Sequence, residues 1–345
     1  MTETPIPLVR RGEHVLVTGG HGFIGSHLVE ALAAAGRRIT VLDPADPPPD
    51  LAVPAGTVRH VRGDVRDADL VRREITADTA LIIHLSSLVG VDQYLYDPLD
   101  VIDIAVTGTR AVLDATRDAG AKLVLASTSE VYGRNPDTPW SEDSERVLGP
   151  TTADRWSYST SKAVAEHMTF AHGRRYGTRA TVLRYFNVYG PRQRPAYVVS
   201  NTVHRLLRGE SPLLYDRGDQ TRCFTYIRDA VEATLAVAAS PETEGLVLNV
   251  GNERESTIAE IVRAVGAAVG SSVEPVRLDT DSAFGKVYED IPRRVPDTSR
   301  IAGLLGWRAT TPVEQGLAET VAWARANDWW TGQSAGERNE RGAAR

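Results

Sequence analysis

Tyr158 and Lys162 sit four residues apart in the run YSTSK, at the start of a stretch that reads as a helix over 158–177. That spacing puts both side chains on one helix face, one turn apart. A phenol with a pKa of about 10 is a poor base at neutral pH, but a neighbouring ammonium and an oxidised nicotinamide favour its phenolate. Lys162 is also placed to bond the ribose of such a nicotinamide. Upstream, the apolar run AKLVLA opens into STSEVYG, residues 127–133, which supplies Thr128, Ser129 and Glu130. Thr128 can share the proton network of a substrate hydroxyl. Together these groups form a device for removing a hydroxyl proton while hydride leaves for NAD. Glu130 is not needed for that step: it is either a second catalytic group or a charge satisfied by a nearby backbone N–H or lysine.

A Tyr-x-x-x-Lys pair usually falls on a surface helix by chance, so its weight depends on what positions it. The first apolar run, HVLVTG, leads into TGGHGFIGSHL, where Gly19, Gly22 and Gly25 are spaced G-x-x-G-x-x-G. Glycines let the backbone approach a pyrophosphate, and the helix that follows, beginning around Phe23 and Ile24, offers free N–H groups and a positive dipole end. Asp43 ends the next expected strand, where a carboxylate accepts bonds from the adenosine ribose hydroxyls and repels a 2′-phosphate; this favours NAD over NADP. Asp64 and Val65 in RGDV end the third strand, and Leu85, Ser86 and Ser87 in HLSS end the fourth. All fall at strand C-termini, where an open parallel sheet binds its ligand. Asp64 taken alone reads equally well as a turn residue.

Strands are expected at 14–19, 38–43, 58–64, 80–86, 122–128 and 180–187, with helices at 24–36, 101–120 and 158–177. Near-continuous apolar strands alternating with helices predict an α/β fold, a Rossmann-type doubly wound parallel sheet covered on both faces. After about 190 turn formers thicken. Later helices are read in STIAEIVRAVGAAVG and at 311–327, and the chain is expected to return to the sheet around FTYIRDAVEATLAVA and LVLNVG. The predicted organisation is an NAD-binding domain over 12–190 with returning segments near 223–250, a smaller substrate-binding lobe from 191–222 and 251–328, and a disordered tail at 332–345. The chain of 345 residues carries a net charge of −6, which gives no basic footprint for nucleic acid. It has no apolar stretch of membrane-spanning length and no signal-peptide core, so a cytoplasmic setting is expected. One cysteine, Cys223, excludes an intramolecular disulfide and a cysteine-based metal site; it reads as a buried thiol, and no metal is expected.

The ordered set TGGHGFIGSHL, Asp43, GDV, HLSS, STSEVYG, YSTSK, RYFNVYGPRQ, QTRCFTYIRD and RRVPD resembles the extended short-chain dehydrogenase/reductases that modify nucleotide sugars, from about residue 12 to 326. The resemblance implies that Thr128, Tyr158 and Lys162 occupy catalytic positions. It also implies that Asn187, Arg222 and Arg294 hold a sugar-nucleotide diphosphate, with Val199, Leu213 and Tyr215 near the substrate and its base. Arginine forks suit phosphate oxygens; Arg192 and Arg194 are weaker candidates. A homodimer packed through the helices at 101–120 and 158–177 is implied as well. Three positions depart from the family pattern: Ala105 replaces a helix asparagine, HLSS replaces HLAA, and Asp216 replaces a turn glycine.

Such enzymes begin by oxidising a sugar carbon, usually C4, to a ketone. The preferred expectation is an NAD-dependent 4-epimerase. The alternatives are a decarboxylase of the UDP-glucuronate type, which DRWSYSTSK and the T-S-E sequence also resemble, and a 4,6-dehydratase, for which Ser129 is a poor acid. A non-catalytic NAD-binding redox sensor is the alternative outside enzymes, and it has no use for the Tyr158–Lys162 pair.

Overall fold

In the computed structural model, which describes residues 13–90, 93, 97–279 and 291–333, the apolar runs form one parallel sheet. Its strands are β1 (His14–Thr18), β2 (Arg38–Asp43), β3 (Val58–Arg62), β4 (Thr79–His84), β5 (Lys122–Thr128), β6 (Arg179–Tyr185) and a seventh further along the chain. The short strands β7 (Val188–Tyr189), β8 (Leu213–Tyr215), β9 (Thr221–Cys223) and β10 (Thr225–Tyr226) precede that seventh strand, β11 (Val247–Val250). β12 (Glu255–Thr257), β13 (Val276–Leu278) and β14 (Arg293–Arg294) follow it.

The sheet order is β11-β6-β5-β4-β1-β2-β3. The direction of winding reverses between β1 and β4, and that switch point opens a crevice at the strand C-termini. Strand alternation fills both faces. Val15, Val17, Ile39, Val41, Leu81 and Ile83 join one core cluster, while Leu16, Leu42, Ile82 and Leu123 join the other. Each fully buried aliphatic side chain contributes roughly 1.5–3 kcal/mol. The covering helices are α1 (Phe23–Ala34), α2 (Ala68–Glu74), α3 (Pro98–Asp103), α4 (Thr109–Ala119), α5 (Ser157–Tyr176), α6 (Val198–Leu207) and α7 (Ile227–Ala239). α8 (Ile258–Val269), α9 (Ser299–Leu305) and α10 (Val313–Arg325) complete the C-terminal part.

Two expected elements differ. The helix read over 101–120 is α3, a π-helical turn at Ile104–Gly108 and α4. Such turns arise where one extra residue is accommodated in a helix, and Ala105, 1% exposed, lies in it. FTYIRDAVEATLAVA, expected to return to the sheet, is mostly α7, packed on the core through Ile227, Ala230 and Leu235; the sheet is rejoined by β11. Asp216, at the family's turn-glycine position, has φ +52. Aspartate is among the few side chains that tolerate this left-handed region. From residue 334 the expected tail lies outside the described residues. No described helix is long and apolar enough to cross a membrane.

Beyond the main sheet, β9 lies between β12 and β14. Its register sets Arg222 opposite Arg294. This small sheet brings the C-terminal part of the chain over the end of β5.

Candidate active site

β1 ends at Thr18, and Gly19 turns the chain with φ +70. A Cβ at Gly19 would lie 2.8 Å from Ser86 N, and one at Gly25 would lie 2.2 Å from Gly19 O. Any side chain at either position would drive the loop away from β4 or from the first turn of α1. Gly22 is the N-cap of α1 and has no side chain to cap it. The helix start at Phe23 and Ile24 therefore faces a cradle of backbone N–H groups, which suits a pyrophosphate.

Asp43 closes the next wall. Its Oδ2 accepts from His21 N at 3.0 Å and its Oδ1 from Ala45 N at 2.9 Å. Burial pushes this carboxyl up from its ordinary range, while the two backbone N–H groups pull it back. Each oxygen retains acceptor capacity for a ribose hydroxyl. Asp64 binds Arg66, Nη2 to Oδ2 at 2.6 Å, and Arg66 also reaches Asp100 at 2.8 Å. Val65 is buried beside this turn. Leu85 N donates to Thr18 O, and Ser86 N reaches Thr18 Oγ1 at 3.4 Å, so β1 and β4 present the 85–87 segment together. Buried His84 fixes that junction from below, with Nδ1 2.6 Å from Thr18 Oγ1 and Nε2 3.2 Å from Thr109 Oγ1. Burial, with Lys162 nearby, lowers its pKa to about 3, so the ring is neutral.

The chemical groups meet at the end of β5. The Tyr158 hydroxyl lies beside the hydroxyls of Thr128 and Ser87. Burial pushes its pKa well above the ordinary phenol value, with Tyr197 and Glu130 adding to the shift and the two hydroxyls opposing it. Lys162 Nζ donates to Ala126 O at 2.9 Å, and burial lowers its pKa to about 8 against the pull of Glu166. Without further positive charge the phenol therefore keeps its proton. A pyridinium ring beside it would supply the missing term. Ser129 is buried, and Thr128 Oγ1 caps the 3₁₀ turn Ser129–Tyr132 by accepting from Glu130 N at 3.2 Å.

Glu130 has partners that its sequence context did not reveal. Arg155 Nη1 lies 2.7 Å from its Oε2, and Arg294 Nη1 lies 2.8 Å from its Oε1. The three side chains are 13%, 2% and 8% exposed, so the cluster is buried. Burial alone would raise the carboxyl, but the two guanidiniums win and hold it at about 2. Glu130 is therefore an anion at any working pH, with guanidiniums from two parts of the chain against it. Arg294 Nε is buried with no hydrogen-bond partner among the described residues.

The other expected substrate residues are spread along one route from this cluster. Arg222 stands beside Arg294 in register and donates to Thr221 O. Asn187, at φ +39, donates from Nδ2 to Cys223 O at 3.2 Å. Val199 is buried on α6, and Leu213 and Tyr215 lie on β8. Arg192 turns away: it binds Glu30 at 2.7 Å and Asp50 at 2.9 Å on the far side of α1. Cys223 is fully buried, and burial pushes its thiol up to about 12. Arg155 was missed although it stands three residues before Tyr158 in the sequence. His84 was missed beside the named Leu85.

Residues 15–251 match the family model described as NAD dependent epimerase/dehydratase family. The UDP-N-acetyl-alpha-D-glucosaminuronate decarboxylase of Bacillus cytotoxicus is 34% identical over 318 residues, covering 90% of this chain and 97% of that protein. Among solved structures, the Thermus thermophilus UDP-glucose 4-epimerase complexed with NAD is similar with a TM-score of 0.78 and 33% identity, covering 90% and 99% of the two chains. MoeE5 in complex with UDP-glucuronic acid and NAD is similar with a TM-score of 0.79 and 32% identity, covering 91% and 99%.

Proposed function

The chain belongs to the NAD dependent epimerase/dehydratase family, and from that premise we propose that it decarboxylates a nucleoside-diphosphate hexuronate. NAD is its cofactor; the glycine cradle and Asp43 fit it, and Tyr158 and Lys162 lie where the nicotinamide end would reach. When bound, NAD supplies a reversible hydride acceptor for a sugar carbon.

The observation that carries this reading is a buried arginine donor beside Glu130. Arg294 Nη1 is spent on Glu130, but its Nε is buried with no hydrogen-bond partner among the described residues, and a uronate carboxylate would supply the missing acceptor. Tyr158, beside Thr128, takes the proton from the sugar C4 hydroxyl as that carbon is oxidised. In the resulting 4-keto sugar, a β-keto acid, the C5–carboxylate bond can break with its electron pair moving onto the C4 carbonyl oxygen. Carbon dioxide leaves, one solvent proton replaces it at C5, and Tyr158 returns its proton to O4 as the carbon is reduced. Glu130, anionic beside the departing carboxylate, loses an unfavourable neighbour as carbon dioxide forms. Asn187, Arg222 and Arg294 are proposed to line the nucleotide diphosphate and sugar, with Val199, Leu213 and Tyr215 toward the base.

The 4-epimerase expected from sequence is the second reading, supported by the similarity to a UDP-glucose 4-epimerase. A panel of UDP-, GDP- and dTDP-sugars that includes UDP-glucuronate, followed by mass spectrometry, decides between them. Loss of carbon dioxide from the uronate is expected. An isomer of unchanged mass from a neutral sugar, with the uronate untouched, would replace this reading by epimerisation, and loss of water would replace it by dehydration. A cytoplasmic homodimer is also proposed. Leu99 and Ile102 on α3 and Val164 on α5 are exposed apolar residues on neighbouring helices, and light scattering would read the mass.

A further inference from the structure

We propose that His21 and His60 are specificity-determining residues at the adenosine end of the cofactor site, where they make the choice between NAD and NADP depend on one proton taken up at His60. The pair is built ring to ring. His21 Nε2 lies 2.8 Å from His60 Nδ1, and His21 Nδ1 lies 2.7 Å from Ala45 O. The backbone N–H groups of the same two residues, His21 and Ala45, hold the two oxygens of Asp43. The histidines thus form the outer rim of the wall that meets a ribose.

The contacts assign the protons. A carbonyl oxygen only accepts, so His21 Nδ1 carries hydrogen. In the neutral pair His21 Nε2 must then accept, and His60 Nδ1 donates to it. One added proton, on His60 Nε2, leaves every contact intact; a second would set two donors against each other. His60 is exposed and open to that first proton, while His21 is 8% exposed. Burial and the His21 ring lower the pKa of His60.

The surrounding charges are few. Asp43 ends β2, Asp46 follows in the next loop, and Arg62, two residues along β3 from His60, lies 3.7 Å from Asp46. Arg59 falls on the opposite face of β3 and pairs there with Glu74. The first turn of α1 brings no acidic residue. With the pair neutral, Asp43 dominates and a 2′-phosphate is repelled. With the pair singly protonated, a cation stands at the rim and offsets that repulsion.

Calorimetric binding of ADP-ribose and 2′-phospho-ADP-ribose to the full chain isolates this end of the site. Between pH 8 and pH 5.5 the wild-type ratio of the two dissociation constants is expected to shift toward the phosphorylated probe on the order of tenfold, the weight of one added charge. The 2′-phosphate itself titrates in this range, but equally for every variant. His60→Asn keeps an N–H donor and removes the titration, and it is expected to lose most of the shift. His21→Ala should lose it as well. An equal shift in wild type and both variants, or no shift in wild type, would overturn the assignment. Neither probe involves the sugar pocket, so this result is independent of the reaction catalysed there.

Discussion

Two buried carboxylates flank the end of β5, and they are partnered differently. Glu166, one turn beyond Lys162 on α5, takes both prongs of a single arginine: Arg184 Nε reaches Oε1 at 2.9 Å and Nη2 reaches Oε2 at 2.6 Å. Ser127 Oγ adds a bond at 2.5 Å. The remaining Arg184 donor reaches the Tyr132 hydroxyl and the Glu142 carbonyl. The carboxylate and the guanidinium cancel, and all three Arg184 nitrogens are bonded, which is how a buried pair becomes a fixed part of a scaffold. Glu130, at the other end of the same segment, faces two arginines from two different parts of the chain, and Arg294 Nε is left without a hydrogen-bond partner among the described residues. The difference is that one cluster has every nitrogen of its arginine bonded to protein, while the other keeps a buried donor that the proposed substrate would use.

Breaking the balanced pair should cost the most. Glu166→Gln strands a buried guanidinium and is expected to lower stability by about 3–5 kcal/mol, read by urea denaturation; a loss below about 1 kcal/mol would show that the pair is not a structural anchor. The Glu130 cluster should announce itself in acid. The folded pKa of Glu130, about 2, is below its ordinary 4.5. Its contribution is thus fully present above pH 4.5 and is lost as pH falls toward 2. That contribution is on the order of 3 kcal/mol, and Glu130→Gln should flatten the stability profile across this window. An unchanged slope in the variant would mean that the arginines do not hold the carboxylate. The smallest effect separates charge from fold. Arg155→Met removes one of the two guanidiniums beside Glu130, and it is expected to weaken UDP-glucuronate roughly 10- to 100-fold, the value of a charge-assisted bond, with UDP-glucose nearly unaffected. Equal weakening of both ligands by calorimetry would leave Arg155 as a packing residue only.

The parallel sheet and its glycine crossing were legible because periodicity and backbone demands are local. Gly19, Gly25 and Asp43 each act within one strand and its next turn, so their spacing carries their meaning. The ends of α1 and α5 were legible for the same reason. Glu130's partners were not. An arginine three residues before Tyr158 carries no mark that its side chain turns toward the end of another strand, and Arg294 reaches the site only because β14 pairs with β9. The π-helical turn at Ile104–Gly108 was hidden because its apolar spacing still fits a helix. His60 is separated from His21 by a whole strand and loop, and only the sheet order brings the two rings together.

The descent of Arg294 from β14 also sets a timetable. A ribosome adding about 5–20 residues per second completes the turn bearing Glu130 some tens of seconds, or roughly ten at the fastest, before it supplies Arg294. Arg155 follows Glu130 after only 25 residues. The carboxylate thus has one guanidinium almost from the start and meets its second only much later. A nascent chain can fold its dinucleotide cradle with Arg155 already against Glu130, and the buried Arg294 donor proposed to meet the sugar arrives long after.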